Sequence, residues 1–170
     1  MRLLPLPDDT LRLRLDADEA QLLDQLVGQL IDLLNSYSTT ALDPDPLFAS
    51  LEIGGSDEAP ADPALARLFP DAFEDRDQSS DFRRLTEQGL VNRKLQDALL
   101  VTSEIGLGPD REDQLTPVEV MITPATMPAW VRTLTALRLA IAARIGLNED
   151  SDHSKLLADE RTRGTVVVYD

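Results

Sequence analysis

The chain contains no cysteine in its 170 residues, which excludes disulfides, thiolate metal sites, cysteine nucleophiles and thiol redox switching together. Histidine occurs once, at His153, so a histidine-based triad would have to draw on a polar, tail-like stretch. No apolar run approaches the roughly 20 residues of a membrane-spanning helix. Residues 1–7 are too short and too proline-rich for a signal peptide. There is no Walker loop, no dinucleotide glycine fingerprint and no zinc-ligand pair. A cytoplasmic, non-enzymatic chain without cofactor or metal is the expectation, and no membrane association is expected.

Carboxylates are what the chain has in excess. The net charge is −15, and residues 8–81 carry 18 acidic against 4 basic residues. Residues 82–105 are net +1 and residues 129–147 are net +3, so two mildly basic segments lie inside a strongly acidic protein. A field of that sign keeps the chain soluble and repels nucleic acid and anionic membrane at long range. Nucleic acid is therefore disfavoured as a partner. The acidic residues themselves form no catalytic pattern. Asp71, Glu74, Asp75 and Asp77 read as a solvated helix start. Glu149, Asp150 and Asp152 lack the alternating ligands, turn glycine and final glutamate of a calcium loop.

With 42% hydrophobic residues the chain can bury a core, and its length fits one domain over residues 1–170. The stretch WVRTLTALRLAIAARIGLNED, residues 130–150, organises the rest. At about 100° per residue, Trp130, Leu134, Leu137, Ile141 and Ile145 share a helical stripe, widened by Val131, Leu139 and Ala142 until little is left for water. Thr123-Pro124 or Met127-Pro128 starts this helix and Gly146 ends it. Asp16 and Glu19 have capping-box spacing for a helix over residues 17–37, with Leu23, Leu26, Val27, Leu30, Ile31 and Leu34 as its stripe. Gly28 interrupts it and marks a close approach of another helix. A third helix spans residues 80–105, with Phe82, Leu85, Leu90, Leu95, Ala98, Leu99 and Thr102 as its apolar face. Between the helices at 17–37 and 80–105, residues 35–80 form an irregular Pro/Asp/Gly-rich region with short helical pieces at 47–51 and 64–69, and mobility is expected around residues 54–61. Residues 10–15 and 117–122 alternate as strands, residues 165–169 offer a third candidate strand, and residues 148–170 read as an acidic, flexible tail. The fold class is mainly α: three long helices plus short helical pieces, with a small two-stranded β element.

The residues singled out are Arg83, Arg84, Trp130, Arg138 and Arg144, as structural or interface candidates. Arg83 with Glu87, and Arg93 with Asp97, stand at the i,i+4 spacing that stabilises exposed helices by about 0.2–0.5 kcal/mol per pair. Arg138 and Arg144 lie about 60° from the centre of the stripe of the Trp130 helix, where guanidinium groups need carboxylate or carbonyl partners. Together the arginines are expected to anchor the irregular acidic region, through Asp71, Asp75 or Asp77, onto the helices. Trp130 reads as a core residue at a helix start, with an exposed interface anchor as the other reading. Arg83, Arg84, Arg93 and Lys94 form the alternative, a basic face for DNA along residues 80–105, joined by that of residues 129–147. A hydrolase-type enzyme built on the acidic clusters is the remote alternative.

LDADEAQLLDQLVGQLIDLL (15–34), PALARLFPDAF (63–73), DFRRLTEQGL (81–90) and the Trp130 segment, in that order, resemble one family. It is the actinobacterial family first filed as a domain of unknown function and later called the actinomycete oxidative-stress regulator family. The resemblance covers about residues 11–150 and rests on structural rather than catalytic motifs. It implies a non-enzymatic cytoplasmic regulator of stress-response transcription. Its implied partner is a protein of the transcription machinery, a sigma factor being one candidate. The sequence departs from the family in two places. Without cysteine, the thiol switch of redox-sensing members cannot operate here. The chain also stops at VVVYD, where the resemblance implies a further terminal helix.

Overall fold

The computed structural model describes residues 1–41, 58–107, 116–147 and 153–169. The short helical piece expected at 47–51, residues 54–57 of the stretch expected to be mobile and the acidic run Glu149, Asp150 and Asp152 lie outside these residues. The chain groups into two compact units. One comprises Met1–Thr40 and Leu90–Leu134, the other Ala41–Gly89 and Thr135–Asp170.

The first unit holds an antiparallel sheet of three strands, β1 (Arg2–Pro5), β2 (Leu11–Leu15) and β3 (Val118–Ile122), in the order β1-β2-β3. Alternation in β2 and β3 places Leu13, Leu15, Val118, Val120 and Ile122 on the buried face. The expected two-stranded element therefore gains a strand. RLLP shows no alternation because β1 is an edge strand exposed along its whole length, and Pro5, which has no N–H to donate, is tolerated at such an edge. Helix α1 (Ala17–Ala41) follows β2. It starts with the capping box: the Glu19 N–H donates to Asp16 Oδ1 and the Asp16 N–H to Glu19 Oε2, each at 3.0 Å. Val27, Leu30 and Leu34 of its stripe are buried, joined by Ala20 and Tyr37. Gly28 does not mark a close approach, since a Cβ there would meet nothing within 4 Å. Gly28→Ala should therefore raise the thermal midpoint by the equivalent of about 1 kcal/mol, the helical cost of glycine. A melting curve that is unchanged or shifted downward would show that the position is crowded after all.

After Ala41, the described part of the second unit resumes at residue 58. Helix α2 (Pro63–Leu68) is capped by Asp62, whose Oδ1 accepts the N–H groups of Ala64 and Leu65 at 2.8 and 3.2 Å, with proline at the first helical position. Helix α3 (Arg76–Ile105) starts four residues before the expected Ser80, because Asp75 caps it there by accepting the Gln78 N–H at 2.9 Å. The acidic cluster at 71–77 is thus the exposed helix start that the sequence suggested. Gly106 closes α3 at φ 67°, its N–H bonded to the Thr102 carbonyl at 3.1 Å.

Helix α4 (Met127–Arg144) opens on Thr126, whose carbonyl accepts the Ala129 and Trp130 N–H groups. It closes with a two-bond left-handed cap, Leu147 N–H to the Ala142 carbonyl at 2.8 Å and Gly146 N–H to the Ala143 carbonyl at 3.2 Å, with Gly146 at φ 69°. Its surroundings are wetter than its pattern suggests. Trp130, Thr133, Ala136, Leu137, Ala142 and Ile145 are buried, but Val131, Leu134 and Leu139 are exposed.

The expected strand at 165–169 is helical. Helices α5 (His153–Ala158) and α6 (Glu160–Tyr169) complete the chain, tied by the Thr162 hydroxyl donating to the Leu156 carbonyl at 2.6 Å. The β-branched run TVVVY disfavours a helix locally, but Val166 is 1% exposed there, and packing overrides a preference worth tenths of a kcal/mol. No helix among the described residues is long and apolar enough to cross a membrane.

Candidate functional site

Helix α3 is built the opposite way round from its sequence reading. The side chains it buries are Ser79, Arg83, Glu87, Val91, Ala98, Val101 and Ile105, together with Asp97. Phe82, Leu85, Leu90 and Leu99, four of the residues expected to face the core, are 42–56% exposed. In its first half, therefore, Arg83 and Glu87 lie inside and Phe82, Leu85 and Leu90 outside, with Asp81 and Arg84 also in solvent.

The inward charges form a clasp centred on Arg83, which is 5% exposed. Its Nη1 donates to the Phe69 carbonyl at 3.2 Å and to the carboxylate of Glu87, itself 2% exposed. Its Nη2 donates to Asp71 Oδ1 at 2.7 Å. The guanidinium thereby holds the chain leaving α2 against α3 at two points. Ser79 adds a third: its hydroxyl donates to the Phe73 carbonyl at 2.7 Å and accepts the Phe73 N–H at 3.0 Å. The expected anchoring of Asp71 by Arg83 is present, but the Arg83–Glu87 pair read as an exposed i,i+4 bridge is buried. Spacing alone cannot distinguish the two settings.

Above this clasp, Phe73 and Phe82 meet edge to face, with ring centroids 5.7 Å apart and planes at 86°. Both rings remain more than 40% exposed, and Leu85 stands one turn from Phe82 on the same side of α3. Beside them opens a cleft of about 380 Å³ whose lining includes Asp71, Phe73, Glu74, Arg76 and Ser79. Fixed aromatic rings beside a charged cleft match the anatomy of a docking surface, an apolar centre with a polar rim. Sequence reasoning missed Phe73 entirely and placed Phe82 in the core. The available signal was the DFRRL segment itself, where Phe82 and Arg83 stand about 100° apart and cannot both lie at the centre of one buried face.

Arg144 also anchors the acidic region, through Asp62 rather than Asp71, Asp75 or Asp77: its Nη2 donates to Asp62 Oδ2 at 2.9 Å. Arg67, which the sequence did not single out, donates to the Leu147 carbonyl. Partial burial raises the Asp62 pKa, but the Leu65 and Ala64 N–H groups and Arg144 outweigh it and hold the carboxyl below the ordinary carboxylate range. A depressed folded-state pKa stabilises above the unfolded value and is lost as the pH falls through the folded one. Asp62→Ala should cost about 1–2 kcal/mol at neutral pH, mostly as a lost cap. The gap from the parent should close in acid. Equal midpoints for the two proteins at pH 7 would refute the clamp.

In the first unit, Trp130 is 2% exposed and its Nε1 donates to Glu104 Oε2 at 2.5 Å, so it is a core residue with a satisfied polar edge. Arg132, also unremarked in the sequence, grips Asp97 through Nε at 2.6 Å and Nη2 at 2.8 Å. Asp97 was expected to pair along the helix with Arg93; the bidentate geometry from α4 is what it takes instead. Burial lowers the pKa of neighbouring Lys94, with Asp97 opposing and Arg132 adding to the effect. Arg84 is exposed and pairs with Asp81 at 3.3 Å. Arg138 is exposed, not set at the edge of a core. The five candidates are therefore not gathered into one site: Arg83 and Arg144 are clasps in the second unit and Trp130 belongs to the core of the first.

Among the described residues no group of His, Asp and Glu is arranged to hold a metal ion. The fold and the site define a mainly α protein with a small antiparallel sheet, a buried arginine clasp and an outward aromatic face. The chain belongs to the DUF2017 family, described as a domain of unknown function, which matches residues 1–170. It is 30% identical over 138 residues, 72% of its length, to a protein of Mycobacterium leprae that bears the provisional name oxidative stress regulator AosR. The alignment spans 59% of the length of that relative. The family resemblance read from residues 11–150 is thus borne out. No solved structure matches the chain at a significant level.

Proposed function

We propose that this chain is a non-enzymatic, cytoplasmic regulator that acts by docking a protein partner on the face formed by Phe82 and Leu85 of α3 with Phe73 just before it. The observation that carries this reading is the inversion of that helix. Burying a guanidinium and a carboxylate costs several kcal/mol per ion before their attraction is counted, whereas burying Phe82 and Leu85 instead would stabilise by about 1.5–3 kcal/mol each. A sequence that accepts the costlier arrangement keeps its aromatic residues at the surface, where they serve as interface anchors. The provisional name of the mycobacterial relative supports a regulatory role. The partner we propose is a protein of the transcription machinery, a sigma factor being one candidate. Direct DNA contact along α3 is weaker on geometry, because Arg83 is buried and Arg84 is engaged by Asp81.

The test is a tagged capture from host lysate, with and without nuclease, comparing the parent chain with Phe82→Glu/Leu85→Glu. Both substituted side chains are exposed and the variant gives up only the edge contact with Phe73, so it should stay folded with a midpoint within a few degrees of the parent. Transcription proteins should be retained by the parent after nuclease treatment and lost by the variant. Retention that vanishes with nuclease, or that survives the double substitution, would overturn the reading.

A further inference from the structure

A second surface lies at the sheet, far in sequence from α3's aromatic face, and its register specifies what it would bind. On the outward face, Arg2 lies opposite Arg14, which lies opposite Glu119. In the next row, Leu4 lies opposite Arg12, which lies opposite Met121. Three guanidinium groups thus share this face with one carboxylate, in a protein whose net charge is −15. Like charges directly across a strand pair are destabilising. Glu119 answers Arg14 at 4.0 Å, while Arg2 and Arg12 have no ion pair among the described residues. The edge beside this row is also open. All four residues of β1 are exposed, with Leu3 at 53% and Leu4 at 50%. The edge is short and carries Arg2 and Pro5, which deter indiscriminate pairing, and its two leucines point to opposite faces.

We propose that β1 receives an extended acidic segment of a partner protein, which adds to the sheet as a further strand. In this register the added strand would place carboxylates on the outward face, beside Arg2 and across Leu4 from Arg12. Its intervening side chain would lie beside Leu3 on the other. The segment is therefore one of alternating acidic and apolar residues, held by main-chain hydrogen bonds and selected by charge. A second copy of the chain fits less well. It would bring its own β1 arginine to a row already short of carboxylates, and each copy carries −15. Nucleic acid has no strand to add to the edge. The acidic bulk of the protein repels an acidic segment at a distance, but beyond about 8 Å that field is screened at physiological ionic strength, and the local arginine row governs contact.

The experiment uses the full chain and a short fluorescent peptide of alternating glutamate and valine, read by anisotropy and by amide hydrogen exchange. The peptide should bind and slow exchange in residues 2–5. Arg2→Glu, an exposed edge substitution that leaves the buried face intact, should weaken binding about tenfold or more, as charge reversal at a contact does. The same peptide N-methylated at every backbone amide keeps its charge but cannot donate to a strand from either edge, and it should not bind to the unaltered protein. The proposal fails if the glutamate–valine peptide does not bind, if Arg2→Glu leaves binding unchanged, or if the N-methylated peptide binds equally well. It also fails if residues 2–5 are protected by self-association without peptide, or if oligo(dT) binds with the same dependence on Arg2. Those last outcomes would reassign the surface to a second copy or to a general anion site.

Discussion

Arg83→Met is expected to destabilise the protein by about 3–5 kcal/mol, the usual cost of removing one partner of a buried ion pair. The reason lies in what remains. Glu87 is 2% exposed and would keep a carboxylate without its guanidinium, and the Phe69 carbonyl would lose its Arg83 donor. Asp71, 59% exposed, can return to water at little cost. A loss of that size should lower the thermal midpoint by about ten degrees for a chain of this length. The double variant Arg83→Met/Glu87→Met removes both charges while keeping volume, and it should recover most of the loss, since apolar replacements of buried pairs are often neutral or better. Denaturant titration of the two variants and the parent decides the matter. A single variant as stable as the parent, or a double variant no better than the single, would show that the clasp contributes little.

Trp130→Ala should be as costly in the other unit, about 3–5 kcal/mol for emptying a fully buried tryptophan site. Trp130→Phe retains most of the buried surface and loses the bond to Glu104, so its cost should be nearer 1 kcal/mol. Trp130 is the chain's only tryptophan, so the parent offers an independent check: native emission should be blue-shifted and should move to the red on unfolding. The variants lack this signal and are followed by circular dichroism. If the alanine variant melted within a degree or two of the parent, the ring would not be the packed core residue described here.

Much of the local architecture was legible in the sequence because its causes are local. The Asp16/Glu19 capping box, the short helix expected at 64–69 and the Gly146 end of α4 all form as read, each depending on side chains or backbone angles within a few residues. The alternation of β2 and β3 gave their buried faces for the same reason. Edge strand β1 escaped notice because an exposed strand needs no alternation, and α6 was misjudged because β-branched residues yield to burial elsewhere in the fold. The candidate site was only half visible. Arg83 and Arg144 were found as anchors, and Asp71 as one of their partners. Asp62, Arg67, Arg132 and the exposure of Phe73 and Phe82 were not.

The sequence by itself determined how α1 begins and how α4 ends, that the fold is mainly α and that no thiol chemistry operates. Only the tertiary structure decided which face of α3 is buried. Its sequence offers two competing stripes, one apolar through Phe82 and Leu85 and one charged through Arg83 and Glu87. Periodicity gives each residue's angle around the helix axis but not the direction of the core. That direction was set by carbonyl and carboxylate groups supplied from residues 69 and 71, which make burial of Arg83 tolerable and leave the aromatic face to solvent.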